Sequence, residues 1–209
     1  TVFEDVAIAY GYENVPAELP STFTVGKEHP VQRNLGTVRE IMTGLGFIEM
    51  MPFTLSNERI LFEYMQRERK TKTLPLMHPI SEEHTVVRTD ILPLLMETLK
   101  LNQHRELPQR LFTAGDVVES GETFRKAAAV IMDTDADFTG IYSTADALLR
   151  ELDIEYTVED SCDPAYIEGR AGDIFAGGEK IGSFGEIHPQ VILNFDMDRP
   201  VAGLEIDLR

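Results

Sequence analysis

Tight-turn signals constrain the fold of this chain more than any other feature of its sequence. Gly177-Gly178 separates the alternating segments 171–175 and 180–184, and a polar turn at 119–122 separates two longer apolar segments. Paired glycines between alternating segments are typical of a β-hairpin. Strands joined by short turns run antiparallel. The sequence therefore predicts an antiparallel sheet with helices packed on it, which is an α+β fold.

Further strands are predicted where short apolar segments are bounded by turn residues. They cover residues 47–51, 74–77, 110–118, 124–132, 154–158 and 200–208.

Helices are predicted where apolar residues recur three or four positions apart. The clearest begins at Pro30 and carries an apolar stripe made of Val31, Leu35, Val38, Ile41, Met42 and Leu45. Asn57 and Asp90 are candidate N-caps, and the sequence of residues 143–146 resembles a capping box. Residues 3–12 and 188–195 complete the predicted helices.

Composition places the chain among ordinary globular proteins. Its 209 residues are 43% hydrophobic and 26% charged, enough for one large or two small domains. No apolar run approaches the roughly 20 residues that cross a bilayer, and no signal-peptide pattern opens the sequence. We expect a cytoplasmic protein without a membrane partner. The opening residues read as the middle of an amphipathic element, so we also expect a segment of a longer polypeptide.

The charge of the chain argues against direct binding to nucleic acid. The 19 basic and 36 acidic residues give a net charge of −17, which repels a polyanion. The densest basic run consists of Arg67, Arg69, Lys70 and Lys72. Such a short run is predicted to be a solvated loop.

Few residues of the chain are candidates for catalysis, metal binding or phosphate binding. Cys162 lies among carboxylates, which disfavour a reactive thiolate, and no two of the five histidines have the spacing of zinc ligands. The glycine-rich segment 177–182 lacks the Lys-Ser/Thr of a phosphate-binding loop and is predicted to be a hairpin turn. Adjacent carboxylates at Glu4 and Asp5 suit a hard cation, but two ligands make an incomplete site.

A set of helix–strand junctions gives a more specific signal. They lie at residues 44–53, 79–81, 87–95, 108–112, 115–118, 167–171, 182–191 and 200–208. In this order they resemble the catalytic-like module of the β subunit of phenylalanyl-tRNA synthetase, of the archaeal and eukaryotic type. Residues 4–12 resemble the end of the small domain that precedes that module.

The resemblance implies a class II aminoacyl-tRNA synthetase-like fold, an antiparallel sheet flanked by helices. Residues 1–20 would be the tail of the preceding domain with a linker, and 21–209 the C-terminal module. Residues 30–52 would match the first class II motif, which builds the subunit interface. In this family the β module is a degenerate, non-catalytic copy of the α module, and two αβ units form a heterotetramer. The α subunit binds ATP and phenylalanine, forms phenylalanyl-adenylate with Mg²⁺ and charges tRNA.

Several residues bear on the degeneracy that the resemblance implies. Adenylate formation needs arginines aimed at the triphosphate, but the closing strand carries Glu205 and Asp207 where an arginine is expected. Thr113 stands where the family usually has glutamate. Glu4 and Asp5 match an acidic pair of the family's magnesium site, while Thr1 replaces its second aspartate. We therefore predict no catalytic or cofactor-binding residue, and a metal only at Glu4 and Asp5.

Three readings of function remain open from the sequence. The first is a structural module that supports the α subunit of a phenylalanine–tRNA ligase and contacts tRNA only as part of the assembled enzyme. The second is a free-standing paralogue with a regulatory or interaction role. The third is an active class II-like adenylating enzyme with a rearranged site, which would need a pocket of converging arginines.

Overall fold

The computed structural model describes residues 1–21, 24–69 and 72–208. Its main sheet has the strand order β1-β4-β5-β9-β8-β7-β6, and a separate pair is formed by β2 and β3. The strands are β1 (Ile48–Glu49), β2 (Leu55–Ser56), β3 (Val86–Val87), β4 (Gln109–Glu119), β5 (Glu122–Met132), β6 (Thr157–Asp160), β7 (Tyr166–Ala176), β8 (Glu179–Ile187) and β9 (Val201–Asp207).

The helices of the described residues are interspersed with these strands. The α-helices are α1 (Val2–Tyr10), α2 (Pro30–Gly44), α3 (Leu92–Asn102), α4 (Phe138–Glu151) and α5 (Pro189–Asn194). A 3-10 turn spans Tyr12–Asn14, and a π-helical turn spans Arg59–Glu63. None of these helices has the length and apolarity that crossing a membrane requires.

Helices cover both faces of the sheet because each strand alternates its side chains between two apolar layers. On β5, Ala128 and Val130 pack in the layer that contains α3 and α5, whereas Ala127 and Ala129 pack in the layer that contains α2 and α4. The predicted α+β class is confirmed.

Both predicted hairpins are confirmed. Gly177 and Gly178 adopt φ values of 59° and 83° between β7 and β8, a region that glycine enters without steric cost. β4 and β5 pair antiparallel over their whole lengths around Ser120 and Gly121. The sheet is mixed, however, because the short edge strand β1 runs parallel to β4. The predicted antiparallel sheet is therefore confirmed except at this edge, where β1 runs parallel to its neighbour.

Some element boundaries differ from the predictions. The helix assigned to begin near Ser143 begins at Phe138, where the Asp137 side chain accepts a hydrogen bond from Gly140 N at 2.8 Å. The Ser143 hydroxyl bonds back to the carbonyl of Thr139 inside that helix. The strand predicted at 154–158 lies at 157–160, and the one predicted at 74–77 is a single bridge from Pro75.

Candidate functional site

A polar cavity of about 810 Å³ opens on the sheet face that also carries α3. We call it the charged cavity and define it by Arg67, Asp90, Lys126, Asp163 and Glu205. These five residues come from the segment after the π-helical turn, the start of α3, β5, the segment before β7, and β9. Their charged side chains are mostly buried, which is costly unless the charges are paired.

Strand register brings the central residues of the charged cavity together. β9 is the last strand in the chain, yet it lies between β5 and β8. Glu205 is therefore opposite Ala128 on one side and Ser183 on the other, while Lys126 is opposite Asp207. Because alternate residues share a face, Lys126, Glu205 and Asp207 point to the same side of the sheet.

Lys126 is held by carboxylates. Its Nζ donates to Asp90 Oδ1 at 2.8 Å and lies 3.7 Å from Asp207 Oδ1, and Thr89 Oγ1 donates to Asp90 Oδ2 at 2.8 Å. Burial alone would lower the pKa of Lys126. The attraction of Glu205 and Asp90 outweighs that effect and raises the pKa above its ordinary value. The ammonium is thus a fixed positive charge.

Glu205 joins the central strand to the start of α3. The residue is 7% exposed, and its Oε1 accepts hydrogen bonds from the main-chain N–H of Ile91 at 2.5 Å and of Leu92 at 3.4 Å. Burial raises the pKa of Glu205, and the nearby Lys126 opposes that shift. Asp90 was predicted to cap α3. This prediction was wrong, because the Asp90 carboxylate binds Lys126 instead. Glu205 accepts the hydrogen bonds at the start of α3 in place of Asp90.

Arg67 and Asp163 form a second buried pair. Arg67 Nη2 donates to Asp163 Oδ2 at 2.6 Å, Nε lies 3.1 Å from both carboxylate oxygens, and the side chains are 14% and 16% exposed. The ion pair outweighs burial and raises the pKa of Arg67. The solvated-loop prediction was wrong for this residue. It fits Arg69, which is largely exposed and pairs with Glu58, whereas Lys70 lies outside the described residues.

Charge pairing decides what the charged cavity can bind. Its described lining contains three cations against seven carboxylates. Arg67 binds Asp163, Lys126 binds Asp90, and the Lys180 ammonium lies 2.6 Å from the carboxylate of Asp173. Every cation of the described lining is therefore paired with a carboxylate of the chain itself. An incoming phosphate would meet an excess of negative charge.

Arg88, a further buried guanidinium, lies outside the described lining of the charged cavity. Its Nε donates to the carbonyl of Asp116 at 2.9 Å, its Nη1 lies 3.4 Å from the carbonyl of Pro52, and the residue is 4% exposed. Burial lowers the pKa of Arg88. The guanidinium therefore joins β4 to the loop after β1.

A second cavity, of about 660 Å³, lies between α2, the start of β5 and residues 151–154. Its walls are apolar at Leu35 and Phe124 and otherwise include several exposed residues. We place the candidate site in the charged cavity, because buried ionisable groups in a cleft, with shifted pKa values and specific charge partners, are candidates for a functional site.

The residues predicted to bind a metal lie on α1 and do not line the charged cavity. Glu4 and Asp5 are exposed in the first turn of α1. Within residues 1–21, 24–69 and 72–208, no three His, Cys, Asp or Glu side chains come together as metal ligands. A cation at Glu4 and Asp5 would need ligands from elsewhere.

Other predicted positions are also located. Thr113 is buried, and its hydroxyl donates to the carbonyl of Met50 at 2.7 Å, which ties β4 to the segment after β1. Cys162 is an exposed thiol at the rim of the charged cavity. Sequence reasoning missed Lys126, although a lone lysine before a run of buried apolar residues on β5 is a signal for a paired buried charge.

The fold and the cavity together define an α+β module in which each described cation of the charged cavity is paired with a carboxylate of the same chain. Residues 15–208 match the family model described as the phenylalanyl tRNA synthetase beta chain CLM domain, and the chain belongs to this family.

Curated relatives agree with the family assignment. The chain is 55% identical over 207 residues to the phenylalanine–tRNA ligase beta subunit of Methanospirillum hungatei, covering 99% of this chain and 38% of that protein. It is 49% identical over 205 residues to the beta subunit of Methanosarcina barkeri, covering 98% and 38%. Against the beta subunit of Methanocaldococcus jannaschii it is 44% identical over 214 residues, covering 99% and 39%. The chain thus spans well under half the length of these relatives.

Proposed function

We propose that this chain is the non-catalytic, class II synthetase-like module in the C-terminal part of a phenylalanine–tRNA ligase β subunit. In this proposal residues 21–209 form the module, and residues 1–20 are the tail of a preceding domain with its linker. The observation that carries the proposal is the pairing of each described cation in the charged cavity with a carboxylate of the chain.

Adenylate formation explains why this pairing matters. The reaction transfers an adenylyl group from ATP to a carboxylate and stabilises charge on the phosphates with free cations and metal ions. In the charged cavity, Arg67 and Lys126 already hold Asp163 and Asp90. In this proposal the α subunit therefore binds ATP, Mg²⁺ and phenylalanine. The chain contacts tRNA only as part of the whole cytoplasmic heterotetramer.

An exposed apolar surface supports the partner role. Ile48, Met51, Phe53, Met77 and Ile80 are 64–104% exposed, and we call them the apolar edge. The loop that carries Phe53 adjoins residues 74–86 through the pairing of β2 with β3 and a ring contact to His84. Exposed apolar patches of this kind mark protein–protein interfaces. In the proposal the apolar edge, next to α2, contacts the α subunit.

The metal at Glu4 and Asp5 remains part of the proposal. The two carboxylates would supply oxygen ligands to Mg²⁺, and the remaining ligands would come from residues of the preceding domain. Nothing in the module's own cavity depends on this ion.

Phenylalanine-dependent exchange of pyrophosphate into ATP tests the proposal. The purified chain is expected to give no exchange above a reaction lacking phenylalanine, while the same chain co-expressed with an α subunit gives it. Exchange by the purified chain, or calorimetric binding of ATP with Mg²⁺ to it, would favour the rival reading of a rearranged adenylating enzyme. Failure of the chain to co-purify with the α subunit would favour a free-standing paralogue.

The apolar edge gives a sharper version of the partner test. Phe53→Glu combined with Met51→Glu is expected to abolish co-purification with the α subunit, because each change places a charge in the interface. Leu19→Glu is the matched control, since Leu19 is 96% exposed and belongs to the segment before α2. Equal recovery of the α subunit with both variants would remove the apolar edge from the interface.

A further inference from the structure

The second cavity, of about 660 Å³, lies along the first half of α2 and has an apolar floor. We call it the α2 groove and define it by the apolar residues of its lining, which are Val31, Leu35, Val38, Phe124, Leu152, Ile154 and Leu208. Those on α2 recur at i, i+4 and i+7, a line about 10 Å long at 1.5 Å per residue. Leu35 and Val38 are buried at the floor, whereas Phe124 is 46% exposed. A floor that follows a helix axis for two turns suits the apolar face of another helix.

Carboxylates outnumber cations around the α2 groove. Its described lining contains two cations, Arg125 and Lys126, and four carboxylates, Glu119, Glu151, Asp153 and Asp207. Both cations already have a carboxylate partner. Arg125 Nε lies 3.3 Å from Asp116 Oδ1. The ammonium of Lys126 binds Asp90. The lining therefore favours an occupant that carries positive charge.

Two of these carboxylates, Glu151 and Asp153, are exposed, and neither forms an ion pair with a residue that the structure describes. Glu151 is the last residue of α4, and Asp153 follows the C-cap residue Leu152. The dipole of a helix favours lysine or arginine at its C-terminal end and disfavours carboxylates there. The stability of α4 therefore does not explain these two carboxylates, whereas contact with a basic partner does.

We propose that the α2 groove binds a basic amphipathic helix of a partner protein. The apolar face of that helix lies on the floor of the groove, and its lysine or arginine side chains contact Glu151 and Asp153. This surface shares no residue with the apolar edge, so the contact is additional to the one proposed there. A second copy of the chain is a poor occupant, because its net charge of −17 is repelled by the same carboxylates.

A synthetic helix tests this proposal. The probe is a fluorescent peptide of about 15 residues, with leucines at i, i+3, i+4 and i+7 and lysines on its other faces. Fluorescence anisotropy with the purified chain is expected to give a Kd on the order of 10 μM. The same peptide with glutamate in place of each lysine should not bind.

The double variant Glu151→Gln with Asp153→Asn tests the charge of the groove. It is expected to raise the Kd about fivefold, because each exposed ion pair contributes little alone. The thermal unfolding midpoint should not fall, because α4 loses two unfavourable charges and asparagine tolerates the positive φ of residue 153. The matched control is Glu82→Gln with Glu168→Gln, which removes equal charge from exposed positions outside the groove. It should change the Kd less than about twofold, because distant exposed charges are screened.

Phe124→Ala tests the apolar part of the groove. It removes a partly exposed ring from the lining and is expected to raise the Kd about tenfold. Leu193→Ala is its control, since Leu193 is 60% exposed on α5 and does not line the groove. The control should leave the Kd unchanged.

Four outcomes overturn the proposal. The first is that the peptide does not bind, and sedimentation of the chain as a dimer would then assign the groove to a second copy. The second is that the charge control weakens binding as much as the double variant in the groove, and the third is that Phe124→Ala has no effect. The fourth is that a longer polypeptide containing residues 1–209 does not bind the peptide, which would assign the groove to another segment of the same polypeptide. None of these outcomes depends on the exchange assay that tests the proposed function.

Discussion

Removing the charge of Asp163 while keeping its shape should destabilise the module strongly. Asp163→Asn leaves Arg67 as a buried guanidinium without its counter-charge, at a site where both side chains are about one-sixth exposed. The amide oxygen can still accept the hydrogen bond from Ala165 N, now at 3.0 Å, so the loss is mainly electrostatic. Breaking a buried ion pair by removing one partner costs about 3–5 kcal/mol. We expect a decrease of that size in the free energy of unfolding.

Urea unfolding followed by circular dichroism measures this decrease. The matched control is Arg150→Gln, which breaks the pair with Asp146 on the surface of α4, where the arginine side chain is 75% exposed. Exposed pairs contribute about 0–1 kcal/mol. The double variant Arg67→Met with Asp163→Leu should regain most of the stability, because apolar replacement of a buried pair is often nearly neutral. If Asp163→Asn costs no more than the surface control, the buried-pair reasoning is wrong.

Three more predictions concern the charged cavity and the sheet beneath it. Lys126→Met should lower the free energy of unfolding by about 3 kcal/mol at neutral pH. Because the folded-state pKa of Lys126 is raised, the unchanged chain should lose that contribution as the pH rises above the ordinary value of about 10.5. Urea titrations across alkaline pH should show this loss in the unchanged chain and not in the variant. The raised pKa of Glu205 means that the free energy of unfolding falls as the pH rises above the ordinary value of about 4.5. Glu205→Gln should reduce that slope in urea titrations from about pH 4.5 upward, leaving the contribution of Glu97, whose pKa is also raised. Gly185→Ala should lower the free energy of unfolding, measured by thermal unfolding, by about 1–3 kcal/mol, since the new Cβ would lie 2.7 Å from that of Ala171. The control Gly36→Ala has open space around it in α2 and should raise the free energy of unfolding by up to about 1 kcal/mol.

Local chemistry explains which parts of the fold the sequence predicts well. The turn at Gly177 and Gly178 needs two positive φ values, and glycine marks such positions directly. The apolar stripe of α2 likewise reports its buried face, because Leu35, Val38 and Met42 are all nearly inaccessible. In both cases the residues that determine the structure are neighbours in the chain.

The candidate site was harder to predict because its partners are far apart in sequence. Arg67 and Asp163 are 96 residues apart in the sequence. Glu205 accepts a hydrogen bond from the N–H of Ile91, which lies 114 residues away. A carboxylate next to a helix start, such as Asp90, resembles a cap in the sequence. In the structure, the Asp90 carboxylate binds the buried ammonium of Lys126 and does not cap α3. The sequence does not show this contact, because strand pairing brings Lys126 close to Asp90.

The position of β9 connects these observations. Had the last strand joined the sheet at an edge, Glu205 and Asp207 would not lie between β5 and β8. Because β9 lies between β5 and β8, its carboxylates enter the centre of the module opposite Ser183 and beside Lys126. The same strand that completes the sheet therefore adds two carboxylates to the charged cavity, beside the buried ammonium of Lys126. In a module proposed to support a partner's catalysis, the insertion of one strand both completes the sheet and places carboxylates against its buried cation.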